Sequence, residues 1–276
     1  MKKIAYIFSV TALIITSACS QDDTLAGDPT EETVCVTFTA QADCTIAEYN
    51  SDTKRKHTTT RATIDTDDKP VRFFAQAVDE NGNRTDPVAG TDLDGDEKYS
   101  FSLNLYPHKE YDLLFWADNT DDAVPANLEE VTYKPGSVAF AAKASGKPVS
   151  IDKNITLKHV VTKVTLMTTN DITGEATLRI DIPTGLKYNV KTGTADSGSN
   201  STASFTKSVN NGENLTTGSE ILSGYVLPQK ENRTVIITDE TNNKQIVVGG
   251  LIFSPDMHMI LKGNLSAANP DWKPIQ

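Results

Sequence analysis

Apolar residues recur at every second position along almost the whole chain, and this period constrains the fold more than any other feature. In residues 33–41, TVCVTFTAQ, the side chains of Val34, Val36, Phe38 and Ala40 share one face while Cys35, Thr37 and Thr39 share the other. Such alternation describes a strand with one face buried. The same reading holds for 71–79, 99–105, 111–117, 175–182, 220–228, 233–239, 245–253 and 257–265. No window of eleven or more residues carries a 3.6-residue period, so long helices are excluded and the fold class is all-β. Asn81-Gly82 tolerates the positive φ of a tight hairpin turn. Pro107, which lacks a backbone donor, suits the turn between 99–105 and 111–117. The longest strand, 155–169, changes phase near Thr162, where a bulge or bend is expected. Residues 121–126 and 191–219 read as loops, the second long enough for a binding or lid loop.

The N-terminus reads as an address. Residues 1–18, MKKIAYIFSVTALIITSA, begin with Lys2 and Lys3, continue as an uncharged and mostly apolar run from Ile4 to Ile15, and end in small residues. Twelve such residues are too few to span ~30 Å of hydrocarbon as a helix, so 1–18 is a signal peptide and not a membrane span. Thr16-Ser17-Ala18-Cys19 resembles the lipobox of bacterial lipoproteins, with Thr16 where Leu is commonest, and implies acylation of Cys19 and cleavage ahead of it. Two or more acyl chains, at ~0.8 kcal/mol per buried methylene, anchor a protein stably at a membrane. Ser20, Gln21, Asp22 and Asp23 look like the acidic tag that sends Bacteroidetes lipoproteins to the outer face of the outer membrane; a plain solvated linker is the alternative. Residues 19–32 then form an acidic tether.

Charge and composition exclude whole classes of function. The 276 residues hold 26 Lys and Arg against 37 Asp and Glu, a net charge of −11, and loss of Lys2 and Lys3 with the signal peptide takes it to −13. Binding to a polyphosphate needs a basic face, so nucleic acid is not the partner. Four His and three Cys, without CxxC or HExxH spacing, provide no zinc or haem framework, and no cofactor is expected. The mature length approaches the limit for one core, which favours two β-sandwiches, 33–154 and 155–276, joined near 144–148 or just after Asp152.

Individual residues add little chemistry. Cys35 and Cys44 flank an extended run, which sets their Cα atoms on the order of 25 Å apart against the ~6 Å of a disulfide, so both are expected as thiols. Asp92, Asp94, Asp96 and Glu97 have oxygen chemistry suited to calcium without the twelve-residue loop pattern, and read as a solvated turn. Ser223-Gly224 and Ser254-Pro255 lack the nucleophile-elbow pattern, and His159 and His258 fall in strands, where a packed or surface His is the default; His108 sits in the turn beside Pro107. No enzyme activity is expected. Trp116 and Trp272 are able to stack on a sugar ring, which gives an alternative function as a stand-alone surface glycan-binding lipoprotein, although Trp116 fits a core position and Trp272 a docking plug.

Several segments together resemble the fimbrillin family of Bacteroidetes, the subunits, anchors and tips of lipoprotein-derived pili. They are the lipoprotein signal, a first strand followed by a Thr-rich loop containing Arg, the run YDLLFWAD at 111–118, LKHVVTKV at 157–164 and YNVKTG at 188–193. The resemblance implies two tandem transthyretin-like Greek-key β-sandwich domains, assembly at the outer membrane, and polymerisation with other fimbrillin-like subunits by strand exchange after proteolysis. Arg61, in the polar segment TTTRAT at 58–63, is the expected cleavage site and Arg55 the runner-up; cutting after Arg61 would free the strand at 33–41. The C-terminus, with Pro270 and Pro274, is a poor donor strand. An anchor, accessory or non-polymerising surface protein with host or bacterial ligands therefore stands beside a shaft subunit.

Overall fold

A computed structural model describes residues 32–48, 60–63, 70, 72–93, 98–196, 201–210, 213–229, 231–264 and 272–274. Every regular element among them is a strand. The first eleven are β1 (Val34–Ala42), β2 (Thr45–Glu48), β3 (Thr60–Thr63), β4 (Arg72–Asp79), β5 (Val88–Ala89), β6 (Thr91–Asp92), β7 (Lys98–Leu105), β8 (Tyr111–Asp118), β9 (Val131–Thr132), β10 (Ala139–Gly146) and β11 (Asn154–His159). They are followed by β12 (Thr162–Thr168), β13 (Ile172–Thr173), β14 (Ala176–Thr184), β15 (Lys187–Asn189), β16 (Thr194–Ala195), β17 (Ser201–Val209) and β18 (Asn214–Leu215). The last are β19 (Glu220–Val226), β20 (Arg233–Asp239), β21 (Lys244–Leu251), β22 (Met257–Gly263) and β23 (Trp272–Pro274).

One large sheet runs β5-β4-β8-β10-β11-β1-β7-β6. Its two edges meet, because the short stretch Val88–Asp92 pairs with β4 through β5 and with β7 through β6. Phe73 of β4 consequently stacks on Tyr99 of β7 with ring centroids 4.0 Å apart. Phe38, Phe101 and Phe115 fill the enclosed core, with edge-to-face contacts from Phe115 at 6.2 and 5.9 Å. β4 and β8 are buried on both faces, so their sequences run apolar where an exposed strand would alternate. Gln76 is the polar exception, and it is satisfied: its amide donates to Thr85 O at 2.8 Å and accepts from Leu128 N at 2.8 Å.

A second apolar cluster lies between the sheet β19-β12-β22-β2-β3, with β23 also on β22, and the sheet β17-β14-β20-β21. Val164, Leu166 and Leu261 face Leu178, Ile180 and Ile237 there. The two clusters do not divide the chain at 154/155. β11 completes the large sheet by pairing with β10 and, in parallel, with β1, and the chain crosses from one core to the other at Val160–Val161. The phase change expected near Thr162 is a bend, at Val161, and it separates two strands, β11 and β12, that bury their side chains in different cores. Exchange also runs the other way. β2 extends the second core's sheet by pairing with β22, and β3 adds to it on β2, while β15 pairs with β9 and puts Tyr188 into the first cluster.

Two further expectations are corrected. Residues 191–219 are not one loop, because β17 pairs with β14 over nine residues. Thr202, Ser204, Thr206 and Ser208 occupy the solvent face, and only Ala203, Phe205 and Val209 give the inward face an apolar record. Ala144, Ser145 and Gly146 belong to β10, which pairs with β8, and so are not a linker. The Asn81-Gly82 turn forms as expected, with Gly82 at φ 82° and Asp79 Oδ1 accepting the N–H groups of Asn81 and Asn83 at 2.9 and 2.8 Å.

Candidate assembly site

β1 is the element that a strand-exchange mechanism requires, and it sits inside the large sheet. On one side it pairs antiparallel with β7 from Val34↔Leu105 to Gln41↔Lys98. On the other it pairs in parallel with β11, but only from Thr39↔Asn154 to Ala42↔Leu157. Among the described residues, Val34–Phe38 are therefore paired along one edge. The inward side chains grade in the same direction: Val34 is exposed, Val36 half-buried, and Phe38 and Ala40 fully buried. Phe38 anchors the strand, its ring against Phe115 and under the Lys153 ammonium, 4.5 Å from the centroid. Burial pushes the Lys153 pKa below its ordinary value. Burying a Phe side chain is worth about 1.5–3 kcal/mol, so this one ring accounts for much of the hold on β1.

The chain leaves β1 through Asp43, whose Oδ1 accepts from the Thr45 hydroxyl at 2.7 Å, and enters β2. β2 lies parallel to β22 at Ala47↔Met257 and Glu48↔His258 and antiparallel to β3. Arg61 is in β3, opposite Ala47, and not in a loop. Threonine is β-branched and suits an extended, half-exposed strand as well as a polar loop, which is why the Thr-rich context misled. β3 is still the outermost strand of its sheet, four residues long. Arg55, Cys19, Ser20, Gln21, Asp22 and Asp23 lie outside the described residues.

The remaining candidates take structural places. Trp116 is 1% exposed, in the core. The backbone of Trp272 is in β23, at the register Gly263↔Trp272. His159 lies 4.1 Å from the Phe140 ring and stacks with Tyr225 at 6.3 Å. His258 Nε2 is 2.9 Å from the Thr165 hydroxyl. Ser254 contributes its carbonyl, which accepts from Thr162 Oγ1 at 2.6 Å. Cys35 is an exposed thiol, whereas Cys44 packs against the first cluster at the far end of the extended β1.

No curated protein matches the chain. Among solved structures, a candidate cell adhesion protein from Parabacteroides distasonis superposes with a TM-score of 0.51 at 9% identity, over 88% of this chain and 97% of that one. A fimbrial assembly protein from the same species gives 0.48 at 11% identity, covering 88% and 95% of the two chains. The tip fimbrial protein Mfa3 from Porphyromonas gingivalis gives 0.48 at 12%, covering 88% and 98%. At such identities the likeness is one of fold. The model of a family of unknown function, DUF6562, matches residues 29–249, and the chain belongs to that family.

Proposed function

We propose that this protein is a fimbrillin-like structural or adhesive subunit of the bacterial surface, held at the outer membrane by a lipid on Cys19, with β1 as its exchangeable strand. The observation that carries the proposal is the position of β1 between β7 and β11, with one large buried anchor, Phe38, and half of one edge unpaired among the described residues. Removing an inner strand leaves two backbone edges and an apolar slot that a strand from another subunit refills by β-augmentation. The incoming strand would need an aromatic ring at the Phe38 level and a small residue two positions later. Cleavage after Arg61 would free β1 and β2 together, leaving β2 paired with the rest of the chain only at Ala47↔Met257 and Glu48↔His258 on β22 and at Thr45↔Thr63 and Ile46↔Ala62 on the remainder of β3. The two apolar clusters suit two transthyretin-like units. The fold shared with a candidate cell adhesion protein supports the reading by analogy.

The test is the N-terminal residue and the oligomeric state of protein recovered from cells. A start at Ala62 with ladders on unboiled gels is the result for a polymerising subunit, and a start at Cys19 with monomer alone is the result for an anchor or accessory subunit. Globomycin should block processing, and a mature start at neither residue would sink the proposal.

A further inference from the structure

Where the two cores meet, three segments enclose a cleft of about 570 Å³. One wall owes its shape to a bulge between β20 and β21. Arg233 is paired with Leu251 and Val235 with Val248, so Gly249 and Gly250 together oppose Thr234. Gly250 has φ +75°, a conformation that favours glycine. The bulge bends the end of β21 away, and the chain beyond it is tied down by Thr162 Oγ1 on Ser254 O at 2.6 Å and Asp256 N on Val161 O at 3.1 Å. The facing wall is the β15–β16 hairpin, closed by Gly193 N on Asn189 O and Asp196 N on Lys187 O, both at 2.9 Å. Its Tyr188 contributes a ring, and Phe253 contributes another from the first wall. The cleft is therefore built from anchored elements, in the size range of a small-ligand site.

Its chemistry centres on Arg233. The side chain is 17% exposed, yet its ion pair is with Glu231 at 3.6 Å, and Glu231 is 78% exposed. Nε is enclosed with no hydrogen-bond partner among the described residues. A guanidinium keeps its charge when desolvated, so this one lacks a matching acceptor pair, and a screened surface carboxylate supplies little. Gln229, 6% exposed, brings an amide to the same cleft. Burial pushes the Tyr188 hydroxyl up to about 12, so it remains protonated and able to donate. One cation among the described lining residues, in an acidic protein, suits a monoanion better than a phosphate, which draws on several cations or backbone donors.

We propose that this cleft is a binding site for a small carboxylate-bearing sugar, its carboxylate on Arg233, its ring against Tyr188 and Phe253, and its hydroxyls facing Gln229 and Ser254. The site uses no residue of β1, and its Tyr188 ring packs against Trp116 with centroids 5.7 Å apart. The test is titration of the full-length chain with glucuronate and N-acetylneuraminate, beside neutral glucose, acetate and a short Asp-containing peptide. The acidic sugars should bind saturably, with glucose at least about tenfold weaker, as expected for a charge-assisted contact. Arg233→Gln should lose at least about tenfold. Glu231→Gln, which removes a competing carboxylate, should tighten binding by about two- to threefold; a purely structural Arg233 would not produce that gain. Should Arg233→Gln unfold, Glu231→Gln and Arg233→Lys still decide the matter. Equal binding of glucose and glucuronate, binding of the peptide but not the sugars, or absence of saturable binding would each overturn the proposal.

Discussion

The indole N–H of Trp116 donates to Asp118 Oδ2 at 2.7 Å, two residues along the same face of β8. Arg72, opposite Asp118 on β4, grips the same carboxylate through Nε at 2.5 Å and Nη2 at 3.1 Å, and Thr120 adds its backbone N–H and hydroxyl at 3.1 and 3.0 Å. The Phe-Trp-Ala-Asp stretch is thus a structural lock, joining two central strands to the loop after β8 and keeping the indole out of solvent.

Removing one partner of such a lock leaves buried charge without compensation. Asp118→Ala should lower the unfolding free energy by about 3–5 kcal/mol, read as a shift of the urea midpoint. Asp118→Asn retains the shape and should lose less.

Phe38 has the most to lose within β1. Truncation to Ala removes a fully buried ring and its contact with Phe115, and should cost about 3–5 kcal/mol in thermal or urea unfolding. Val34→Ala, at the exposed start of the strand, should stay within about 0.5 kcal/mol.

Asp79 links the first turn to pH. Burial raises its pKa, but the Asn83 side chain, the backbone N–H groups of Asn83 and Asn81, and the Lys109 charge outweigh it and hold the carboxyl below its ordinary value. A depressed folded-state pKa contributes stability that is present above the unfolded value of about 3.9 and lost as pH falls through the folded one. Asp79→Asn should therefore be less stable at neutral pH and lose less stability than wild type below about pH 4, as followed by melting temperature across an acid series.

Gly224 of β19 lies beneath the Phe205 ring of β17, and a Cβ there would stand 2.4 Å from Phe205 Cε1. Gly224→Ala should cost about 1–3 kcal/mol through overpacking. Combined with Phe205→Leu the two losses should be less than additive, because the smaller side chain makes room; additive losses in a double-mutant cycle would refute the contact.

Side-chain alternation is a local property of an extended backbone, so the sequence alone determined that the chain is all-β, where most strands run and that Asn81-Gly82 turns. It also marked β1 and the Trp116 strand. Strand partnership is not local: two segments pair because distant side chains fill the same core, and a single sequence carries no record of that choice. Only the tertiary structure therefore separated β11 from β12, sent β2 to β22 with β3 outside it, and moved Arg61 from a loop to an edge strand. β17 escaped because its solvent face is Ser and Thr and its apolar face is sparse. The Arg233 cleft was beyond sequence reasoning for the same reason. Its one local sign was Gly249-Gly250 in an otherwise regular strand, and the enclosed Arg233 Nε became visible only when segments from 188, 229, 233 and 253 met.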